Sequence, residues 1–491
     1  MNKYSKFLCL ILAVVLLLSA LVACESADEE TTTDAAVEST ETETEKEATP
    51  TAVDKKDYGA EFYLSILDDV NPPKYYWVEE GEGDAMSEAV FARQQKVIDW
   101  LGVEIVFSNA GDHNNYITPF KTAVKNKDGS VDTLLSHVNT GVAGLVSESY
   151  LRNIDDMPGI NLDEDYWNMD FMDSLAIAGN HYLGFSNFNL LYTHVLAFNK
   201  TMMDQYADSF DASVYDMVRD YTWTLDQMIE IINLVYIDTT ADGKTTDDTF
   251  GLAGRQWVPW VGFMQACDIK LVDLDDAGMY KISVMSDKNK DKTSALVDKL
   301  TELSKSNSAY LDYQTTSVTS VPFTSGRVLM FLESTYGLVS FLDHDISFGV
   351  LPYPMWDEAQ KDTCGYRSLQ WGGYICIPTF LTNDVMVGET LDVLAFYSDD
   401  VTITFYEKML GKQVADVPDD KQMLDIIWDS VCTDFGQTFS DEAGGILYIL
   451  PKVTWPESGQ LLTSTLAKSE STGNTALSKF VKRIEKINRK K

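Results

Sequence analysis

The chain has 491 residues, with 76 acidic and 38 basic side chains, a formal net charge of -38 and a pI near 4.3. That balance argues against nucleic acid and anionic lipid as partners, because either requires a basic footprint and none occurs before the last dozen residues. Apolar residues make up 45% and aromatics 11%; that supplies large cores, and the length exceeds what one core supports, so at least two lobes are expected.

Residues Met1 to Phe7 carry Lys3 and Lys6 and no acid, and an apolar run follows from Leu8 to Val22, broken by Ser19. This is the layout of a signal peptide. A permanent span needs about 20 apolar residues. The run stops short of that in Leu21-Val22-Ala23-Cys24, which matches a lipobox. Cys24 is therefore the expected lipidation site, and two or more acyl chains (palmitate among them) anchor stably at about 0.8 kcal/mol per buried CH₂. Glu25 to roughly Asp54 is a Glu/Thr/Ala/Ser tract with almost no large apolar residue. It cannot offset its ordering entropy and reads as a disordered, self-repelling spacer.

Folded sequence is expected from near Tyr58, with a strand over Ala60 to Leu67 and a helix over Ala85 to Leu101. An alternating strand follows at Val103 to Phe107, and strand, helix, strand implies a parallel α/β sheet. Helical stretches are expected at 143–151, 198–206, 225–236, 293–304, 391–397 and 421–432. The tail, Lys479, Lys482, Arg483, Lys486, Arg489, Lys490 and Lys491, reads as a solvated helix end whose cations suit the C-terminal dipole.

Cys9 leaves with the signal peptide. Cys267, Cys364, Cys376 and Cys432 show no metal spacing. Export permits a Cys364–Cys376 bridge, and buried free thiols fit equally. His113, His137, His181, His194 and His344 are scattered. Asp238 to Asp248 resembles the start of a calcium loop, but Lys244 follows Gly243 and Thr249 stands where a Glu is needed, so a solvated turn is expected. No G-x-S-x-G, HExxH, P-loop or dinucleotide fingerprint occurs, and no catalytic residue, cofactor or metal is expected.

Taken in order, Gly83 to Arg93, Leu196 to Lys200, Tyr215 to Asp226, Phe323 to Met330, Phe348 to Pro354 and Gly372 to Pro378 resemble one family. It is that of the extracellular solute-binding proteins of ABC importers, in the carbohydrate-type group called family 1. The resemblance implies an α/β, type II periplasmic-binding-protein fold: two lobes joined by a multi-strand hinge, with a ligand cleft between them. On that frame 1–23 is the lipoprotein signal peptide and 24–56 the lipidated cysteine and acidic linker. Residues 57–190 and 372–402 form the first lobe, while 191–371 and 403–491 form the second with the C-terminal helices.

A sugar site needs flat aromatic faces for the ring and planar polar side chains for the hydroxyls. Gln256, Trp257 and Trp260 stand where the resemblance puts a cleft loop, although Trp260 also reads as core beside Val261 and Phe263. Tyr336 occupies the turn where the family presents an aromatic to the ligand, and Glu333 accepts hydroxyl hydrogen bonds or is a surface carboxylate. Trp371 lies on the expected return crossing beside Gly372-Gly373. In the first lobe, Ser136 and Asn139 follow a short strand, His137 reads as a structural hydrogen-bonder, and Tyr75-Tyr76-Trp77 fits loop packing as readily as a cleft wall.

The expectation is a monomeric, non-catalytic receptor, lipid-anchored on the outer face of the cytoplasmic membrane. It takes a small solute, an oligosaccharide, to ABC permease subunits and binds no nucleic acid. The competing readings are a glycan hydrolase, with two carboxylates roughly 5 to 9.5 Å apart, and a glycan-binding adhesin uncoupled from transport.

Overall fold

The computed structural model describes residues 48–489 except 69–70, 82, 191, 313–315 and 407–417. The expected signal peptide, Cys24 and most of the acidic spacer lie outside the described residues. Packing begins ahead of Tyr58: Val53 is buried and its carbonyl accepts from Trp100 Nε1 at 2.9 Å.

The chain first lays down β1 (Ala60–Leu67), β2 (Val103–Gly111) and β3 (Thr133–Leu135). β1 sits between the other two and runs parallel to both. Phe62, Leu64 and Ile66 alternate along β1 and are fully buried. Between β1 and β2 runs the helix Ala85–Leu101. Asp84 starts it by accepting from Met86 N and Ser87 N at 2.9 and 3.0 Å, and Gly102 ends it in the left-handed region at φ 60°. Met86, Val90, Val97 and Leu101 recur at helical spacing and face the sheet.

A second sheet then forms from β4 (His194–Asn199), β5 (Tyr236–Ile237) and β6 (Thr249–Arg255). After the hairpin of β7 (Val272–Leu274) and β8 (Tyr280–Ile282) come β9 (Ala309–Asp312), β10 (Val328–Ser334) and β11 (Phe348–Leu351). Their order is β11-β4-β10-β6-β5, with β9 also pairing β6. β6, β9 and β10 are parallel, whereas β4 runs antiparallel to β10 and β11. β4 is buried at every position and β10 at all but one, as strands covered on both faces must be. The expected two-lobed α/β architecture is present.

Two stretches join the sheets. Going out, Gly184 exchanges both backbone hydrogen bonds with Ile375, at 2.8 and 2.9 Å. Coming back, β12 (Ser368–Leu369) leads through Gly372-Gly373 into β13 (Ile375–Cys376), which joins the first sheet antiparallel to β3. Gly373 is required there, because a Cβ would stand 1.6 Å from the Ser136 carbonyl oxygen. Helices Asp384–Phe396 and Asp399–Thr404 then pack on Ala85–Leu101 in the first lobe. Pro418–Asp429 returns to β11 in the second, and β14 (Val431–Cys432) pairs with β12. The C-terminal helix, Leu462–Asn488, lies on β8 and also reaches Val142–Ser147 of the first lobe. Among the described residues no helix is long and apolar enough to cross a membrane.

Candidate ligand cleft

In open α/β sheets the groups available to a ligand gather outside the carboxyl ends of the parallel strands. Here the two sheets bring those edges together. Tyr75, in the loop after β1, meets Tyr336, which follows β10, edge to face with ring centroids 5.9 Å apart. Tyr192, on the outgoing crossing, meets the same Tyr336 ring at 5.9 Å. His194 continues the wall, 6.4 Å from Tyr192 and 5.7 Å from Trp371. Trp371 is itself fixed by its backbone N–H, which donates to Tyr192 O at 2.6 Å. Trp257, at the end of β6, stacks flat on Tyr448 with centroids 4.3 Å apart and planes 5° apart. Tyr448 in turn hydrogen-bonds the side chain of Asn139 from the first lobe.

One buried cation and the backbone carbonyls it reaches hold this wall. Arg93, on the helix after β1, is fully buried and donates from Nη2 to Tyr76 O at 2.7 Å and from Nη1 to Ser398 Oγ at 3.2 Å. Its guanidinium lies 4.8 Å from the centre of the Phe188 ring on the crossing. Burial pulls the guanidinium pKa down to about 9, so the group remains cationic at neutral pH. It pins the Tyr75–Tyr76 loop to the hinge.

The polar groups at the two edges differ in what they have left to offer. Glu333, at the end of β10, is half-buried, and one carboxylate oxygen accepts from Ser334 N and Oγ at 2.8 and 3.1 Å. Burial raises its pKa, an effect reduced by the Ser334 bonds and by the Arg255 charge. Gly337 permits this placement, since a Cβ there would lie 2.3 Å from the Glu333 carboxyl carbon. Arg255 is half-buried with Nε unpartnered, and His194 is 3% exposed, its ring engaging the Glu333 carbonyl. Burial, with Arg255 adding to it, pushes the His194 pKa down to about 3 and keeps the imidazole neutral. In the first lobe His137 Nδ1 instead accepts from Asn139 N and Thr140 N at 3.2 and 3.0 Å, which places its proton on Nε2.

Of the candidates read from the sequence, Tyr336 and the buried Trp371 belong to one run of ring contacts, Glu333 ends the strand that precedes Tyr336, and Trp257 and Asn139 meet at Tyr448. Three others are engaged elsewhere. Gln256 and Trp260 are fully buried and both donate to Thr454 Oγ1, at 3.1 and 2.9 Å, so they pack inside the second lobe against the helix Ile449–Thr454. Ser136 is fully buried, its hydroxyl donating to His137 O at 3.1 Å and accepting from Tyr374 N at 3.4 Å. These three pack as core residues with their donors satisfied, although Gln256 Oε1 has no partner. Tyr192, His194, Arg255 and Tyr448 were not singled out from the sequence. No local motif marks them, and only the topology of β4, β6 and the C-terminal segment gathers them.

The Asp238–Asp248 turn closes on itself. Asp238 Oδ1 accepts from Ala241 N at 2.6 Å, and buried Asp248 accepts from Thr239 N and Thr245 N at 2.8 and 2.9 Å. Lys244 reaches away to the carbonyls of Ser306 and Ala309. Among the described residues no three His, Cys, Asp or Glu side chains cluster as metal ligands, and the four remaining cysteines are all thiols.

Two lobes, a paired crossing and a cleft lined by rings and unpartnered polar groups define a two-lobed solute-binding protein. Residues 94–408, more than half of the chain, match the family described as bacterial extracellular solute-binding protein, and the chain belongs to that family. Solved structures agree in fold. The GacH receptor of Streptomyces glaucescens, known unliganded and with acarbose, superposes with a TM-score of 0.51 at 15% identity, covering 86% of this chain and 99% of that one. UgpB from Mycobacterium tuberculosis, in complex with glycerophosphocholine, gives 0.53 at 15% identity, covering 87% and 98%. No curated protein sequence matches significantly.

Proposed function

We propose that the chain is the receptor component of an ABC importer, capturing an oligosaccharide in the cleft and handing it to membrane permease subunits. The observation that carries this reading is the cleft wall itself. Tyr336 and Trp257 offer partly exposed ring faces, and Arg255 Nε and the second Glu333 oxygen have hydrogen-bonding capacity that the protein leaves unused. Ring faces with planar polar groups at their margins are what a pyranose, apolar on its C–H faces and polar around its rim, requires. The acarbose bound by the GacH receptor is in keeping with it. Because Tyr75 and Tyr336 touch across the cleft, a ligand enters by parting the lobes about the crossing, a hinge motion. The receptor acts as a monomer without catalysis. In this reading Cys24 carries the acyl chains that hold it on the outer face of the cytoplasmic membrane, near its permease, at raised effective concentration.

A thermal-shift screen of the purified protein against a panel of glycans, amino acids and peptides tests the substrate class. A glycan should raise the Tm. A shift by amino acids or peptides with none by any glycan contradicts the reading, and so does turnover of a glycan by the protein.

A further inference from the structure

Cations gather at one end of this acidic protein. Acidic residues outnumber basic ones 76 to 38, and several lysines find carboxylates: Lys56 with Glu389, Lys96 with Asp400, Lys121 with Glu148, Lys299 with Asp226. Along the last turns of the C-terminal helix this pattern stops. Lys479, Lys482, Arg483 and Lys486 are exposed, and none of the four has a carboxylate partner among the described residues. Their spacing sets them on one side of the helix. Leu477, Phe480, Val481 and Ile484 on the other side are buried, so the cationic side is held outward and cannot roll under.

The second lobe completes the feature. Lys281 of β8 stands across from Lys479 and Lys482, and with Asn474, Thr475 and Ser478 they line a groove of about 410 Å³ that contains no acidic side chain. The groove is built on fixed parts. Asn474 Oδ1 accepts from Ile282 N at 2.8 Å and ties the hairpin to the helix, and the neighbouring Tyr280 ring stacks on Phe435 at 3.8 Å. A solvated helix end accounts for the cations of the last turn, but not for Lys281 brought in from another element.

We propose that this groove is a docking surface for the phosphate headgroups of an anionic bilayer. Charge complementarity selects the occupant: a body of net charge -38 is repelled by an anionic surface everywhere except where cations are concentrated and unpaired. The groove therefore sets how a membrane-bound receptor stands, with the basic side of the C-terminal helix towards the lipid. This inference does not depend on which solute the cleft binds.

Lysine footprinting by acylation and mass spectrometry tests it on the full chain incubated with phosphatidylglycerol or phosphatidylcholine vesicles. Labelling of Lys281, Lys479, Lys482 and Lys486 should fall about threefold or more with phosphatidylglycerol alone and recover at high salt, which screens the attraction. Lys127 and Lys361, exposed elsewhere, should not change. The double variant K479E/K482E should lose the protection of Lys281 and Lys486. Equal labelling in both vesicle types overturns the proposal, as does protection that survives in the double variant. Protection by inorganic phosphate without vesicles also overturns it, and reassigns the groove to a free anion.

Discussion

The two edges of the cleft use their polar groups in opposite ways. On the first-lobe edge, Ser136, His137 and Asn71 turn their hydrogen bonds onto nearby backbone: Asn71 alone bridges Ser136 O at 3.0 Å and Gly373 N at 3.1 Å. On the second-lobe edge Arg255 keeps an unpartnered nitrogen and Glu333 uses one oxygen locally, while across from them Tyr75 Oη is also unpartnered. Burying polar groups without partners is costly unless something else satisfies them. The crossing at Ser136, Asn71 and Gly373 is thus a braced jaw, and the proposed function assigns recognition of the ligand to the second edge. Changes at the first edge and at buried His194 should therefore appear as stability, and changes at the partly exposed Tyr336 as affinity.

The largest effect should come from Gly373→Ala, which forces a Cβ to within 1.6 Å of a backbone oxygen at the crossing. It should lower stability by about 3 kcal/mol or more in urea unfolding. A variant that folds with unchanged midpoint removes the braced-jaw reading. Next is His194. Its pKa of about 3 in the folded protein lies below its unfolded value of 6.5, so between those limits the unfolded chain binds more protons and stability falls as pH drops. Wild type should lose about 2 kcal/mol from this group on going from pH 7 to pH 5, a loss absent in His194→Asn. Parallel pH profiles of the two proteins check it.

Tyr336→Ala should weaken ligand binding at least about tenfold, or about 1.4 kcal/mol, with little change in Tm. Equal losses of both would move Tyr336 from recognition to bracing. Smallest is Ser136→Ala, which removes a hydroxyl bonded to His137 O and Tyr374 N and in reach of the Cys376 thiol. It should cost about 1 kcal/mol of stability and leave affinity unchanged.

Local signals in the sequence were sufficient for elements whose periodicity and caps agree. The strand at Ala60–Leu67 and the helix at Ala85–Leu101 have the expected bounds, because alternation, the Asp84 cap and the Gly102 stop all point the same way. Thr224 likewise caps the helix that starts at Leu225, accepting from Gln227 N at 3.4 Å. The helix Leu462–Asn488 was not anticipated beyond its basic end, since polar residues dilute its apolar stripe of Leu466, Gly473, Leu477 and Phe480. The site was legible where an aromatic stood in a recognisable turn, as Tyr336 and Trp257 do. It was illegible at Trp260 and Gln256, whose composition suits a cleft but whose partner, Thr454, lies almost two hundred residues away. His194 and Arg255 share that difficulty, since each is an ordinary strand residue until the sheet brings them to one edge.

The central claim is that the second-lobe edge of the cleft recognises a glycan. Calorimetric titration of the best glycan from the screen into wild type, Tyr336→Ala and Ser136→Ala tests it most directly. The account predicts one site per chain in wild type, an affinity at least about tenfold lower for Tyr336→Ala, and an unchanged affinity for Ser136→Ala. Wild-type affinity in Tyr336→Ala together with loss of binding in Ser136→Ala would contradict it.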